Sequence, residues 1–185
     1  GADGADDRAI IARASDLYSR HALRRVYYSA FSPIPSPSAV LPLNRPPLLR
    51  EHRLYQSDWM MRFYGYSAKE VASAADPISG CLPLDIDPKL AWALNHRDIF
   101  PVDLNRAPRE MLLKVPGLGV KAVGRIIASR RHRRLALDDV ARLTSSVVKL
   151  RPFLIASDWR PVQLGDREDL RLRLTPRAEQ LDLFA

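Results

Sequence analysis

Apolar positions along this chain recur mostly three or four residues apart, a spacing that predicts helices, with one short exception near the start. Ile10, Ala14, Leu17 and Tyr18 define one side of a helix over 7–20, preceded by a small, acidic stretch at 1–6 that reads as disordered. The exception is Arg24 to Phe31 (RRVYYSAF), whose β-branched and aromatic residues predict a strand covered on both faces. A strand needs partners for its backbone groups, so this one calls for a late strand around Phe153 to Ala156 or for a sheet supplied from outside. Six prolines between Pro33 and Pro47 then predict a loop, because proline breaks both helix and central strand. Leu48, His52, Tyr55, Trp59 and Phe63 resume the helical spacing up to a stop at Gly65. Ser67 with Glu70 is a capping-box pattern for a short helix ending near Ala75, and Asp87-Pro88 opens another running to about Arg97.

The second half is almost entirely helical in pattern. Asn105 can cap a helix that Pro108 enters, with Met111, Leu112 and Val115 as its apolar side. A tight turn, Pro116-Gly117-Leu118-Gly119, separates it from a second helix whose buried stripe is Val120, Val123 and Ile127. Asp138 and Asp139 open a helix over Leu137 to Leu143, and Val147 to Arg151 continues the bundle. Beyond Trp159 the chain turns polar and charge-alternating and reads as a flexible tail over 160–185. The pattern predicts a mainly α fold: a helix-plus-strand unit with a Pro-rich loop (7–47), then a helical region (48–159).

Charge changes this picture by its placement. The chain holds 29 Lys and Arg against 21 Asp and Glu, a net +8. Residues 1–96 carry 11 basic and 10 acidic residues, 135–185 carry 8 of each, and 97–134 carry 10 and 3. Nearly all the excess therefore sits in one segment, the footprint expected of a phosphate-binding surface. The single cysteine, Cys81, forbids an internal disulfide and an all-cysteine metal site within the chain, which points to a reducing, cytoplasmic setting. No apolar run approaches the ~20 residues of a membrane helix, so no membrane partner is expected.

The chemistry is concentrated in the same basic segment. Gly117 and Gly119 permit positive φ and a close approach of backbone to ligand, while Leu118 between them can plug the turn into the core. The N–H groups of the turn and of the second helix would then form an anion site suited to a nucleic-acid phosphate, with Lys121 as an added point charge. Arg125 and the run Arg130, Arg131, His132, Arg133 and Arg134 would extend the contact along a backbone, giving weakly sequence-specific and salt-dependent DNA binding. Proline, glycine, hydrophobic, glycine and a lysine two residues later resembles the helix-hairpin-helix family of DNA-binding motifs, over about 103–131. Val123 stands where that family usually has alanine, and Gly124 lies inside the second helix, where it costs about 1 kcal/mol relative to alanine. A second hairpin common in tandem versions would fall at Thr144-Ser145-Ser146, which lacks the glycines.

Read together, RRVYYSAFSPIP, LLREHRLYQSDWMMRFYGYSAKE and FPVDLNRAPREMLLKVPGLGVKAVGRI resemble the C-terminal part of a family of DNA modification or repair radical SAM proteins, over roughly 8–160. The resemblance implies a helix-hairpin-helix bundle preceded by one β/α-barrel remnant, the helix at 7–20 and the strand at 24–31. It also implies a 4Fe-4S cluster and S-adenosylmethionine in an N-terminal barrel, supplied in cis or in trans, since the three cluster cysteines are not in this chain. The chain thus reads as a C-terminal fragment or split-off module without cofactors of its own. Its end, Gln180, Leu181, Asp182, Leu183 and Phe184, resembles the peptide that bacterial repair and replication proteins insert into the DNA sliding clamp. That implies pocket-filling by Leu183 and Phe184, with Gln180 anchoring the backbone. Two other functions stay open. Certain hairpin-superfamily DNA glycosylase/lyases use a lysine at the position of Lys121 as a Schiff-base nucleophile and an aspartate about eighteen residues later, where Asp139 falls. A protein adaptor would instead use the basic segment for an acidic partner.

Overall fold

The computed structural model describes residues 1–35, 40–144, 147–161 and 167–175, and it is mainly helical. Helix α1 (Asp7–His21) starts at Asp6, whose carboxylate accepts from the Ala9 N–H at 2.8 Å, and ends at Ala22 in the left-handed region, φ 49°. Asp6 and Ala5 are therefore tied into the structure, Ala5 through a 2.8 Å bond from Arg50 to its carbonyl. Asp7 is fully buried between elements. Its carboxylate accepts from Arg50 Nε at 2.7 Å and from the Leu82 N–H at 2.8 Å, joining α1 to α2 (Leu48–Phe63) and to the loop at 82.

Gly65 takes the positive φ (74°) that ends α2, and α3 (Ala68–Ala72) carries the expected capping box of Ser67 and Glu70. Helix α4 (Pro88–Asn95) is capped by Asp87 and is buried at every position from Pro88 to Leu94, the signature of a helix at the centre of a core. Trp92 anchors it. Its ring meets Tyr66 edge-on at 4.9 Å, stacks on His96 at 4.4 Å and meets Phe100 at 6.4 Å, and Phe100 in turn meets Phe153 at 5.1 Å. This aromatic chain links the first half of the molecule to the second.

The segment over 24–31 is extended but forms no strand, contrary to the sequence reading. Its side chains alternate between exposed and half-buried, and Tyr27 is 74% exposed under the Arg25 guanidinium. Helix side chains replace the missing sheet partner: Val26 N–H donates to Tyr18 Oη (3.0 Å), Tyr28 N–H to Tyr55 Oη (3.0 Å) and Ala30 N–H to Glu51 Oε2 (2.7 Å). Tyr55 Oη also donates to the Tyr28 carbonyl at 2.9 Å. Tyr18 is itself held by Asp58, which pairs with Arg62 at 3.2 Å. The late strand does form, but with another partner: β1 (Val102–Asp103) and β2 (Leu154–Ile155) make a two-residue parallel ladder, Val102 opposite Leu154 and Asp103 opposite Ile155.

Helices α5 (Arg109–Lys114) and α6 (Val120–Ser129) follow, then α7 (Leu137–Ala141) and α8 (Val147–Leu150). Asn105 does not cap α5, a place taken by Pro108 without a side-chain bond. Its amide instead donates to the Leu135 carbonyl (3.1 Å) and accepts from the Leu135 N–H (2.8 Å), closing the base of the α5–α6 unit. The tail is not wholly a tether either. Helix α9 (Arg167–Leu174) packs on α4, with Leu170 and Leu174 buried and Arg171 forked onto Asp85 at 2.8 and 3.0 Å. Among the described residues no helix is long and apolar enough to cross a membrane.

Candidate nucleic-acid interface

The turn between α5 and α6 is fixed from within. Leu118 is buried, its side chain 1% exposed, as a plug would be. Gly117 uses the left-handed backbone (φ 86°) that a Cβ would strain, whereas Gly119 is extended (φ −102°) and its place is open to any residue on backbone grounds. Three bonds hold the turn: Leu118 N–H to the Val115 carbonyl (3.2 Å), Thr144 Oγ1 to the Gly117 carbonyl (2.8 Å) and Lys89 Nζ to the Leu118 carbonyl (2.6 Å).

The Lys89 bond decides where the turn's donors point. A trans peptide sets its C=O and N–H in opposite directions, so drawing the Leu118 carbonyl inward turns the Gly119 N–H outward. Gly119 caps α6 without any side-chain acceptor, and the first backbone bond at that end is from Val123 N–H to the Gly119 carbonyl at 2.9 Å. Among the described residues no acceptor meets the donors at the mouth of α6, which lie at the positive end of the helix dipole. Ala122, Val123 and Ile126 bury the inner face of α6, with Val120 and Ile127 half-buried beside them, while Lys121, Gly124 and Arg125 face solvent.

The basic residues of the segment divide by role. Lys121, Arg125, Arg131 and Arg134 are exposed, and among the described residues none has an ion-pair partner. Arg130 is taken up by the fold, its guanidinium bonding the carbonyls of Leu104 (3.1 Å) and Ala107 (2.7 Å). Arg133 is forked onto Asp139 at 2.6 and 2.8 Å. Lys114 pairs with Glu70 at 2.5 Å and lies over the rings of Trp92 and Tyr66. The structure therefore keeps four of the expected cations available and diverts Arg130 and Arg133. Arg106 and Arg109, which the motif does not single out, are exposed just before and at the start of α5, beside the loop that Arg130 holds.

Lys121 and Asp139 form no ion pair. Both Asp139 oxygens are occupied by Arg133, and one also accepts from the Ala136 N–H at the start of α7. The Arg133 fork, with that backbone bond, holds the Asp139 carboxyl down to about 2, which suits a structural anion and not a proton acceptor. Gln180 to Phe184 lie outside the described residues, as do Ser145 and Ser146.

Lys89 is a site residue that sequence patterning passes over. It is 7% exposed, its ammonium lies 4.4 Å from the centre of the Tyr64 ring, and burial pushes it down to about 7, with Asp87 pulling weakly the other way. Comparison of the chain with family models, with curated proteins and with solved structures gives no match.

Proposed function

We propose that this chain binds DNA through its sugar-phosphate backbone, with a phosphate at the mouth of α6 and neighbouring phosphates along Lys121, Arg125, Arg131 and Arg134. The observation that carries the reading is the inward pull of Lys89 on the Leu118 carbonyl, which leaves the outward donors of an uncapped helix beside two unpaired cations. Contacts of this kind position a protein on nucleic acid without reading sequence. On the family resemblance, the module would place a DNA modification or repair radical SAM protein on its substrate, with the sliding clamp as a further partner of the terminal peptide. The residues of this chain do not fit the iron–sulfur cluster of such proteins. Cys81 is alone, and the described residues bring no three His, Cys, Asp or Glu side chains together, so the cluster and S-adenosylmethionine would belong to a barrel supplied in cis or in trans.

Fluorescence anisotropy with a fixed duplex, titrated over salt, tests the reading. The log–log salt slope of wild type should fall by about 2 in a Lys121→Glu, Arg125→Glu double variant, since each lost phosphate contact removes about 0.9. An unchanged slope and affinity would remove the hairpin from the interface.

A further inference from the structure

Beside the turn lies a cavity of about 260 Å³ between α2, α4 and the hairpin. Trp59 and Tyr64 line one side, Gly117 to Gly119 the other, and Gln56, Asp87 and Lys89 supply polar groups. Its aromatic wall is formed by Trp59 of α2 and by Tyr64 at the C-terminal end of that helix. The spacing of Leu48, His52, Trp59 and Phe63 is that of a helix face, yet α2 buries the opposite side through Leu54, Ser57, Asp58 and Met60. Trp59 is left 51% exposed and Phe63 40%, their rings 4.4 Å apart. At Gly119 an added Cβ would meet only Tyr64 Oη, at an ordinary 3.6 Å, so neither packing nor backbone strain calls for glycine there. What the missing side chain leaves open is the passage between the hairpin and the aromatic wall.

We propose that this cavity receives one unstacked nucleobase of DNA, stacked against Trp59 and Tyr64, from the strand whose phosphate is held at the mouth of α6. The proposal rests on the phosphate-binding reading of the hairpin and adds to it a preference for DNA with an unpaired base. Aromatic faces accept any base by stacking, whereas donors and acceptors at the cavity edge can meet base edges. The volume is below the usual range for drug-sized ligands and suits a single planar ring system. A base becomes available at least cost where it is already unpaired, so bulged or single-stranded DNA is the favoured form.

Three proteins and two probes decide the matter: wild type, Trp59→Ala and Gly119→Ala, each with a fully paired duplex and with the same duplex carrying one bulged 2-aminopurine. Wild type should bind the bulged probe roughly tenfold more tightly and quench its fluorescence, and Trp59→Ala should lose both the preference and the quenching while binding paired duplex as before. Gly119→Ala should keep its thermal stability and lose the preference, which guards against a fold defect in the tryptophan variant. Equal binding of both probes by wild type overturns the base pocket and leaves the phosphate reading standing. Failure of wild type to bind either probe overturns the phosphate reading itself. Equal weakening of both probes in Trp59→Ala would make the aromatic face a general contact and overturn the pocket as a base site.

Discussion

At the scale of single residues, side chains of one type in one short segment do different work. Arg130 and Arg131 are neighbours in sequence, but the first closes the base of α5–α6 through two backbone carbonyls and the second is free in solvent. Arg130→Ala should therefore lower stability by about 2 kcal/mol, the loss expected when charge-assisted bonds to carbonyls are removed, and leave the salt slope of DNA binding nearly intact. Arg131→Ala should do the reverse, and urea titration beside anisotropy separates the two. Lys89 makes a prediction in pH. Its folded-state value is depressed to about 7 from an ordinary 10.5, so between those values the unfolded chain holds the proton and the folded chain does not. Stability then rises as pH climbs through this window, because the buried charge is progressively relieved, and its cost is fully present below about pH 7. In Lys89→Met the rise should be absent when urea midpoints are compared between pH 7 and 9.5. DNA affinity should also fall, since the Leu118 carbonyl loses the donor that aims the Gly119 N–H.

At the scale of elements, the extended segment over 24–31 shows how tertiary context overrides a strand pattern. Alternate backbone N–H groups are satisfied by Tyr18, Tyr55 and Glu51, which lie far away in sequence order or on another element, so no local signal announces them. Tyr55→Phe removes both bonds to Tyr28 and keeps the ring that packs edge-on against it at 5.2 Å. It should cost about 1 to 2 kcal/mol and speed hydrogen exchange at the Tyr28 amide well above that at Val26. The helices were legible because their signals are local: the Asp87-Pro88 start, the Ser67–Glu70 box and the Gly65 stop all act within a turn. The turn at 116–119 was legible for the same reason, as were the inward Leu118 and the exposed Lys121 and Arg125. Lys89 and Trp59 were not, because a lysine on a buried helix and an aromatic stripe that faces solvent both break the rule by which burial is read from pattern. Gly124 offers a check on α6 itself. It is exposed with nothing within 4 Å of an added Cβ, so Gly124→Ala should raise stability by about 1 kcal/mol in thermal unfolding.

At the scale of the whole molecule, charge and packing are carried by different parts of the chain. The basic excess belongs to 97–134, whereas the segment after 135 holds equal numbers of acids and bases and contributes structure through α9. Two truncations separate these contributions. Removing 160–185 takes away the buried Leu170 and Leu174 and the Arg171–Asp85 fork, and should lower stability by about 3 kcal/mol, since each buried leucine contributes about 1.5 kcal/mol or more. Removing only 180–185 should leave the urea midpoint unchanged while abolishing retention on immobilised bacterial sliding clamp, if the terminal peptide acts as its sequence implies. Neither truncation should alter the salt slope of DNA binding, because neither removes a cation of 97–134. A loss of stability from the short truncation as large as that from the long one would mean that Leu181 and Phe184 cover the protein's own core, and would overturn the proposal of the clamp as a partner.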